Sequence, residues 1–397
     1  MKKNNFKPFT ISLVGSMPRS ERIKSARSDF SEGKMSKEDY DKIVYEETEK
    51  IVRLQEENGV DVICSGEITR DNYISFIADY VDGITSMKNT DIINYVSEEQ
   101  RENLEESLIK RNTETANLSN PICDGRIDTS ATFEYPTMKL LKELTDKPVK
   151  ATLPSPYLLT RTTWLTSVTD KYYPSREALG NDIVKLLLNE VDRLIELGVE
   201  VIQLDDPILS EIVLADDDEE SFFCGRLSEK IRYDHELLFA MKLIQPVLRR
   251  ISDSNSLSCL HVCRGNYTKK EESLLSGSYA SLSDFFSIVQ PDMLTLEFST
   301  PRAGSLKDLY INEFLATQSI LGLGVVNPKT EYAESPEFII DKVKQALEIL
   351  DPDKIWINPD CGFATFEQRP MNSEQIIVQK LKNMKEAQTI LREQYCN

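Results

Sequence analysis

Leu257-Ser-Cys-Leu-His-Val-Cys263 is a short apolar run that ends in a histidine and a cysteine two positions apart. On a β-strand, alternate residues share a face. Cys259, His261 and Cys263 therefore point one way, and Leu260 and Val262 the other. In a barrel strand the first set faces inward and the second packs under helices. Cys259 lies deeper in the run and is expected to be core. His261 and Cys263 offer an imidazole nitrogen and a thiolate sulfur, the donors that a borderline-soft ion such as Zn²⁺ prefers. The bland alternative is a buried histidine beside a free thiol.

Working outward, similar runs recur along the 397 residues. They are Ile11–Ser16, Gly59–Glu67, Pro148–Ser155, Gly198–Asp205, Leu257–Cys263, Asp292–Glu297, Leu321–Asn327 and Lys354–Cys361. Helical patterns lie between them. Tyr40–Asn58 and Arg176–Leu197 carry apolar stripes, and Ser335–Leu350 opens with Ser-Pro-Glu, a cap with proline at the first helical position. Alternating strand and helix implies a parallel sheet, and eight units imply a (β/α)₈ TIM barrel. The expectation is one α/β domain over residues 1–397. The polar, charged stretch Ser86–Asp124 reads as a helical insertion between the second and third strands. Ala215–Glu220 reads as a solvated acidic loop.

Barrel enzymes draw their chemistry from the C-terminal ends of strands. Here those ends carry Ser16, Glu67, Asp205, His261 with Cys263, Glu297, Asn327 and Cys361. Adding Glu297 and Cys361 to the His-x-Cys pair gives a four-ligand set drawn from three strands.

Composition narrows the partners. The net charge of −19 argues against a nucleic-acid backbone or an anionic membrane surface. No stretch approaches a membrane span, and the N-terminus lacks the apolar core of a signal peptide. Seven scattered cysteines read as reduced thiols of a cytoplasmic protein.

The motifs resemble one family. His261-Val-Cys263, Glu297 in Thr-Leu-Glu-Phe-Ser and Cys361 in Asn-Pro-Asp-Cys-Gly look like the zinc ligands of cobalamin-independent methionine synthases. Gly15-Ser16-Met-Pro, Gly66-Glu67-Ile-Thr-Arg70-Asp71 and Gln203-Leu-Asp205-Asp-Pro207 resemble that family's catalytic barrel, in the same order. The resemblance implies Zn²⁺ as cofactor, homocysteine as thiol substrate and methyltetrahydrofolate, possibly polyglutamylated, as methyl donor. It implies that Glu67 and Asp205 hold the amino group of homocysteine, Ser16 its carboxylate end, and that Glu211 contacts the folate. The chain departs from the family in two places. Thr152–Tyr157 lacks the tryptophan that packs on the pteridine, with Trp164 nearby but not equivalent. Lys329 stands nearest the position of a proton-moving histidine and could serve as proton donor only with a lowered pKa.

These departures leave alternatives open. A related zinc thiol alkyltransferase could take its alkyl group from a corrinoid protein, a sulfonium or an epoxide. A non-enzymatic zinc or thiol-binding barrel is disfavoured, because structural sites are closed by four tight ligands whereas Glu297 is displaceable. A decarboxylase of the uroporphyrinogen type would need no zinc. Arg70 and Asp71 are expected as a rim ion pair, and Asp206 should face away from the pocket.

Overall fold

Seven of the eight apolar runs lie side by side in one parallel sheet. In the computed structural model, residues 6–95, 119–214, 233–271 and 274–396 are described. The strands are β1 (Ile63–Cys64), β2 (Ile84–Lys88), β3 (Ser119–Cys123), β4 (Val149–Pro154), β5 (Val201–Asp205), β6 (Leu257–Val262), β7 (Met293–Glu297), β8 (Ile320–Val326) and β9 (Ile355–Pro359). The large sheet runs β1-β4-β5-β6-β7-β8-β9, with every neighbour parallel. Chain order and sheet order agree, as expected when each strand returns through a helical crossover.

The helices form where the stripes predict, with caps that explain their starts. Lys37–Glu57, Arg176–Glu196 and Pro336–Leu347 begin after Ser36, Ser175 and Ser335, and each serine oxygen accepts a backbone N–H of the first turn. No described helix is long and apolar enough to cross a membrane.

The first run behaves differently. Ile11 bridges Ile357 of β9 and Ser12 bridges Val62 beside β1, both in parallel sense. The segment thus lies between the two edge strands of the sheet without forming a continuous ladder. Its next carbonyls are taken by side chains instead. Lys150 donates to the Leu13 carbonyl, and Gln203 Nε2 donates to that of Val14 at 2.9 Å.

Alternation on β6 is as read. Cys259 packs in a small cluster with Val62, Val201, Leu257, Met293 and Trp356. Leu260 and Val262 join the larger core with the helices. Apolar filling toward the strands' N-terminal ends therefore gives way to polar groups at their C-terminal ends.

The expected helical insertion needs correction where it can be seen. Its flanks pair as an antiparallel ribbon, Ile84 opposite Cys123 through Lys88 opposite Ser119, with a four-residue helix Asn89–Ile92 following β2. Ile84-Thr-Ser-Met-Lys88 has no period-two alternation of its own, and cross-strand pairing with Ser119–Cys123 overrides the polar composition. Residues 96–118 and the acidic loop 215–220 lie outside the described residues.

Candidate metal centre

The end of β6 and the turn after β9 bring His261, Cys263 and Cys361 together. Their ligand atoms all lie within 4.8 Å of one another, and all three residues are buried. In-register pairing of β5 and β6 sets Asp205 beside His261. The Nδ1 of His261 is 2.8 Å from Asp205 Oδ1, which also accepts from Gln203 Nε2 at 2.7 Å. The other ring nitrogen, Nε2, is buried and has no hydrogen-bond partner among the described residues. An orphaned imidazole nitrogen beside two sulfurs is a donor set that suits a soft or borderline metal ion. His235, by contrast, is exposed.

A hydrogen bond links the two sulfurs. A hydrogen bond from Cys361 holds the Cys263 thiol below its ordinary range, against the effect of burial. The same bond, with burial, pushes Cys361 well above. Burial alone would disfavour a charged His261, but its bond to Asp205 and the nearby negative groups outweigh this and raise it. A cation placed among these atoms would favour both thiolates.

Glu297, expected as fourth ligand, lies outside this cluster. Its Oε1 accepts the backbone N–H of Arg264 at 3.2 Å, and Oε2 accepts from Arg302 at 3.0 Å. Lys329 Nζ is 3.8 Å from Oε1. Burial opposes the charged carboxylate, but Lys329 and Arg302 overcome it and hold its pKa below the usual range. For Lys329 burial pulls downward, yet Glu297, Cys361 and Asp360 win and raise it above its ordinary value. The lowered pKa that a proton-donating Lys329 would need is therefore not met.

Beside the cluster opens a pocket of about 720 Å³, counting its mouth. Ser16, Glu67 and Asp205 all line it, together with the His-Cys-Cys group. Ser16 fits because position 362 is glycine: a Cβ there would stand 2.0 Å from Ser16 Oγ. Glu67 sits on strained left-handed backbone, φ +55°, which turns its side chain toward the pocket. Thr152 Oγ1 donates to its Oε1 at 2.8 Å.

Three expectations about the neighbours resolve as follows. Arg70 does not pair with Asp71. It lies 3.5 Å from Glu67 and 2.6 Å from Glu134, while Asp71 accepts from Ser75 and Asn72. Asp206 does face away, bound by Ser155. Glu211 is buried on the helix Ile208–Leu214, within electrostatic reach of Arg161, and is not among the pocket's lining residues.

Sequence reading missed the mouth of the pocket. Tyr73, Tyr267 and Phe366 line it, and the Tyr73 and Phe366 rings meet edge-on at 6.2 Å. Asn266 Nδ2 ties the loop carrying Cys361, donating to Gly362 O at 2.8 Å and Thr365 Oγ1 at 2.6 Å. Trp164 caps the helix Pro156–Thr163, and its Nε1 donates to Thr166.

The family profile described as "Cobalamin-independent synthase, Catalytic domain" matches residues 9–236 and 259–389. The chain belongs to that family. Similar members include the 5-methyltetrahydropteroyltriglutamate–homocysteine methyltransferases of Thermotoga petrophila, 24% identical, and of Saccharomyces cerevisiae, also 24%. These alignments cover 98% and 99% of this chain but only 45% and 43% of the relatives, so the chain spans less than half their length. Among solved structures, a B12-independent methionine synthase from Shewanella sp. W3-18-1 superposes with TM-score 0.71 at 19% identity, covering 98% of this chain and 99% of that one. A putative vitamin-B12-independent methionine synthase from Listeria monocytogenes gives 0.67 at 22%, with the same coverage. These cobalamin-independent synthases share the fold from end to end.

Proposed function

We propose that this protein is a zinc-dependent methyltransferase. It moves a methyl group from 5-methyltetrahydrofolate, possibly polyglutamylated, to the thiol of homocysteine, and so forms methionine. The observation that carries this reading is the His261–Cys263–Cys361 cluster opening onto the pocket that holds Ser16, Glu67 and Asp205. The names of the long relatives point the same way. We further take the protein to be a single domain over 1–397 and a closed (β/α)₈ barrel, with Ile11 and Ser12 in the eighth strand position. The free cysteines among the described residues fit a reducing, cytoplasmic setting.

His261, through Nε2, and both cysteines would hold the metal. Zinc, when bound, supplies positive charge that favours a deprotonated thiol at neutral pH. Asp205 fixes the imidazole so that Nδ1 carries the proton and Nε2 stays a donor. Glu67 and Asp205 offer carboxylates to the ammonium group of homocysteine, and Ser16 offers a hydroxyl to its carboxylate. Tyr73, Tyr267 and Phe366 offer flat apolar walls to the ring of the donor. In the transfer, the sulfur lone pair forms the new S–CH₃ bond, the N–CH₃ bond breaks, and N5 of the folate keeps that electron pair and takes up a proton, which balances the proton the homocysteine thiol gave up on ionising. Glu211, buried on the helix Ile208–Leu214 that follows the pocket residue Pro207, is proposed as a contact to the methyl donor.

Lys329 is better suited to hold charge than to yield a proton, and it does not line the pocket. That placement favours a second reading, in which the donor is already cationic, a sulfonium, and needs no acid. A methionine-formation assay decides between them. Methyltetrahydrofolate mono- and polyglutamates should support turnover. Turnover with a methylsulfonium or methylcobalamin alone would replace the folate reading.

A further inference from the structure

Three ionisable side chains, Glu67, Arg70 and Glu134, meet behind the pocket wall, and all are buried. Of the three, only Glu67 lines the pocket. Arg70 is within reach of both carboxylates and is held on the far one. Its Nη2 donates to Glu134 Oε2 at 2.6 Å and to the Thr152 carbonyl at 2.9 Å. Its guanidinium lies over the Phe76 ring, 4.1 Å from the centroid. Toward Glu67, Nη1 donates only to Thr152 Oγ1, at 3.2 Å, and stops 3.5 Å from Oε1. Thr152 Oγ1 makes the hydrogen bond to Glu67 instead, at 2.8 Å. Glu134 is set in place through its backbone. It precedes the helix Tyr135–Leu144 but makes no capping bond with its own side chain. Oε1 of the buried Glu190 accepts the N–H groups of Phe133, Glu134 and Tyr135 at 3.2, 2.6 and 2.6 Å. The Glu134 carboxylate is thereby left for Arg70, and its Oε1 has no hydrogen-bond partner among the described residues.

We propose that Glu134 is a positioning residue for the thiol substrate: it holds the Arg70 guanidinium off Glu67, and so keeps that carboxylate free to bind the substrate's ammonium group. This rests on the homocysteine-pocket reading above. A guanidinium does not give up its proton in a protein. Burial opposes the charge on Arg70, but Glu134 and Glu67 outweigh it. With Glu134 ionised, Arg70 has its partner and an arriving ammonium finds Glu67 uncommitted. With Glu134 neutral, a buried cation has lost its counter-ion, which is costly. Arg70 then closes on Glu67, and the ammonium has to compete with it. Burial pushes Glu134 up to about 7 against the pull of Arg70, with Glu67 and Glu190 adding to the rise. The charged or titratable groups facing Glu134 are Arg70, Glu67, Glu190 and Tyr80, and of these only Arg70 is a cation. Recognition of the ammonium is therefore fully present above about 7 and lost as the pH falls through that value.

The test compares homocysteine with γ-mercaptobutyrate, the same thiol acid without the amino group, by calorimetric titration of the zinc-loaded full chain. Both ligands present the same thiol and carboxylate, so the ratio of their affinities reads the ammonium site alone. In the wild type the ratio should favour homocysteine at about pH 8 and fall about tenfold toward about pH 6, the low end for losing a charge-assisted hydrogen bond. Glu134→Gln should show the low ratio at both pH values. The double variant Glu134→Gln/Arg70→Met removes the rival cation and should recover the preference for homocysteine. A wild-type ratio that is flat across this range overturns the proposal. So does a Glu134→Gln protein that keeps the wild-type ratio, including one that binds both thiols equally worse, because Glu134 would then be merely structural. A double variant that stays at the low ratio overturns it as well. A wild type that prefers homocysteine at no pH overturns the pocket reading itself, and the proposal with it.

Discussion

Asp205 Oδ1 lies 2.8 Å from His261 Nδ1, and the two residues sit in register on adjacent strands β5 and β6. One carboxylate thereby fixes the tautomer of a candidate metal ligand while also lining the thiol pocket. Outer-shell partners of this kind typically matter by about 10–100-fold in metal affinity. Asp205→Asn should therefore weaken zinc binding by about that factor, read by competition with a chromophoric chelator. Unchanged affinity would confine Asp205 to substrate binding.

Glu67 separates the other way. It is not a member of the His261–Cys263–Cys361 cluster, and it lines the same pocket from a left-handed backbone position. Glu67→Gln should keep the zinc content of the wild type and bind homocysteine about 10- to 150-fold more weakly, since a buried charge-assisted hydrogen bond is worth roughly 1.5–3 kcal/mol. Calorimetric titration of the zinc-loaded variant checks this. Loss of metal in Glu67→Gln would show that the two sites are not separable.

Gly362 is a steric requirement for Ser16. A Cβ at 2.0 Å from Ser16 Oγ must push that hydroxyl aside. Gly362→Ala should raise the KM for homocysteine, by as much as about 10²-fold if Ser16 moves by an ångström. Cys361 is adjacent, so zinc content is measured in parallel and should stay near the wild-type value. An unaltered KM would remove Ser16 from the substrate contacts.

Asp206 reports on stability. Burial pushes its carboxyl up to about 7, although Ser155 and the first N–H groups of the Ile208–Leu214 helix favour the ionised form. The folded state thus binds this proton more tightly than the unfolded chain does. The contribution is fully present at pH below about 4, the ordinary aspartate range, and is lost as pH rises through about 7. Denaturant midpoints of the wild type should carry this downward component across that window. Asp206→Asn should flatten it, and an identical pH profile in the variant would contradict the placement.

Strand positions and the His261–Cys263–Cys361 cluster were legible in the sequence, because period-two alternation and donor-type side chains at strand ends can be read residue by residue, whereas Glu297 was placed in the cluster and lies outside it. Period-two alternation in Leu257–Cys263 placed His261 and Cys263 on one face with Cys259 beneath them, and that is how they lie. Ile11–Ser16 looked equally strand-like. Its pairing depends instead on carbonyls reached by Lys150 and Gln203, residues well over a hundred positions away. The same limit hid the ion pairs. Arg70 binds Glu134, 64 residues on, and nothing near Arg70 in the chain foretells it. Arg302 was missed for a related reason: a lone arginine after β7 acquires meaning only from Glu297, Glu271 and the Leu275 carbonyl around it. The aromatic mouth joins Tyr73, Tyr267 and Phe366 from three distant loops.

The central claim is that His261, Cys263 and Cys361 hold a zinc ion that takes the substrate thiol. Zinc K-edge X-ray absorption on the purified protein, with and without homocysteine, tests it most directly. About one zinc per chain is expected, with two sulfur neighbours that become three on adding homocysteine, and with the metal lost in Cys361→Ala. A two-sulfur spectrum that homocysteine leaves unchanged, or full zinc occupancy in Cys361→Ala, would contradict it.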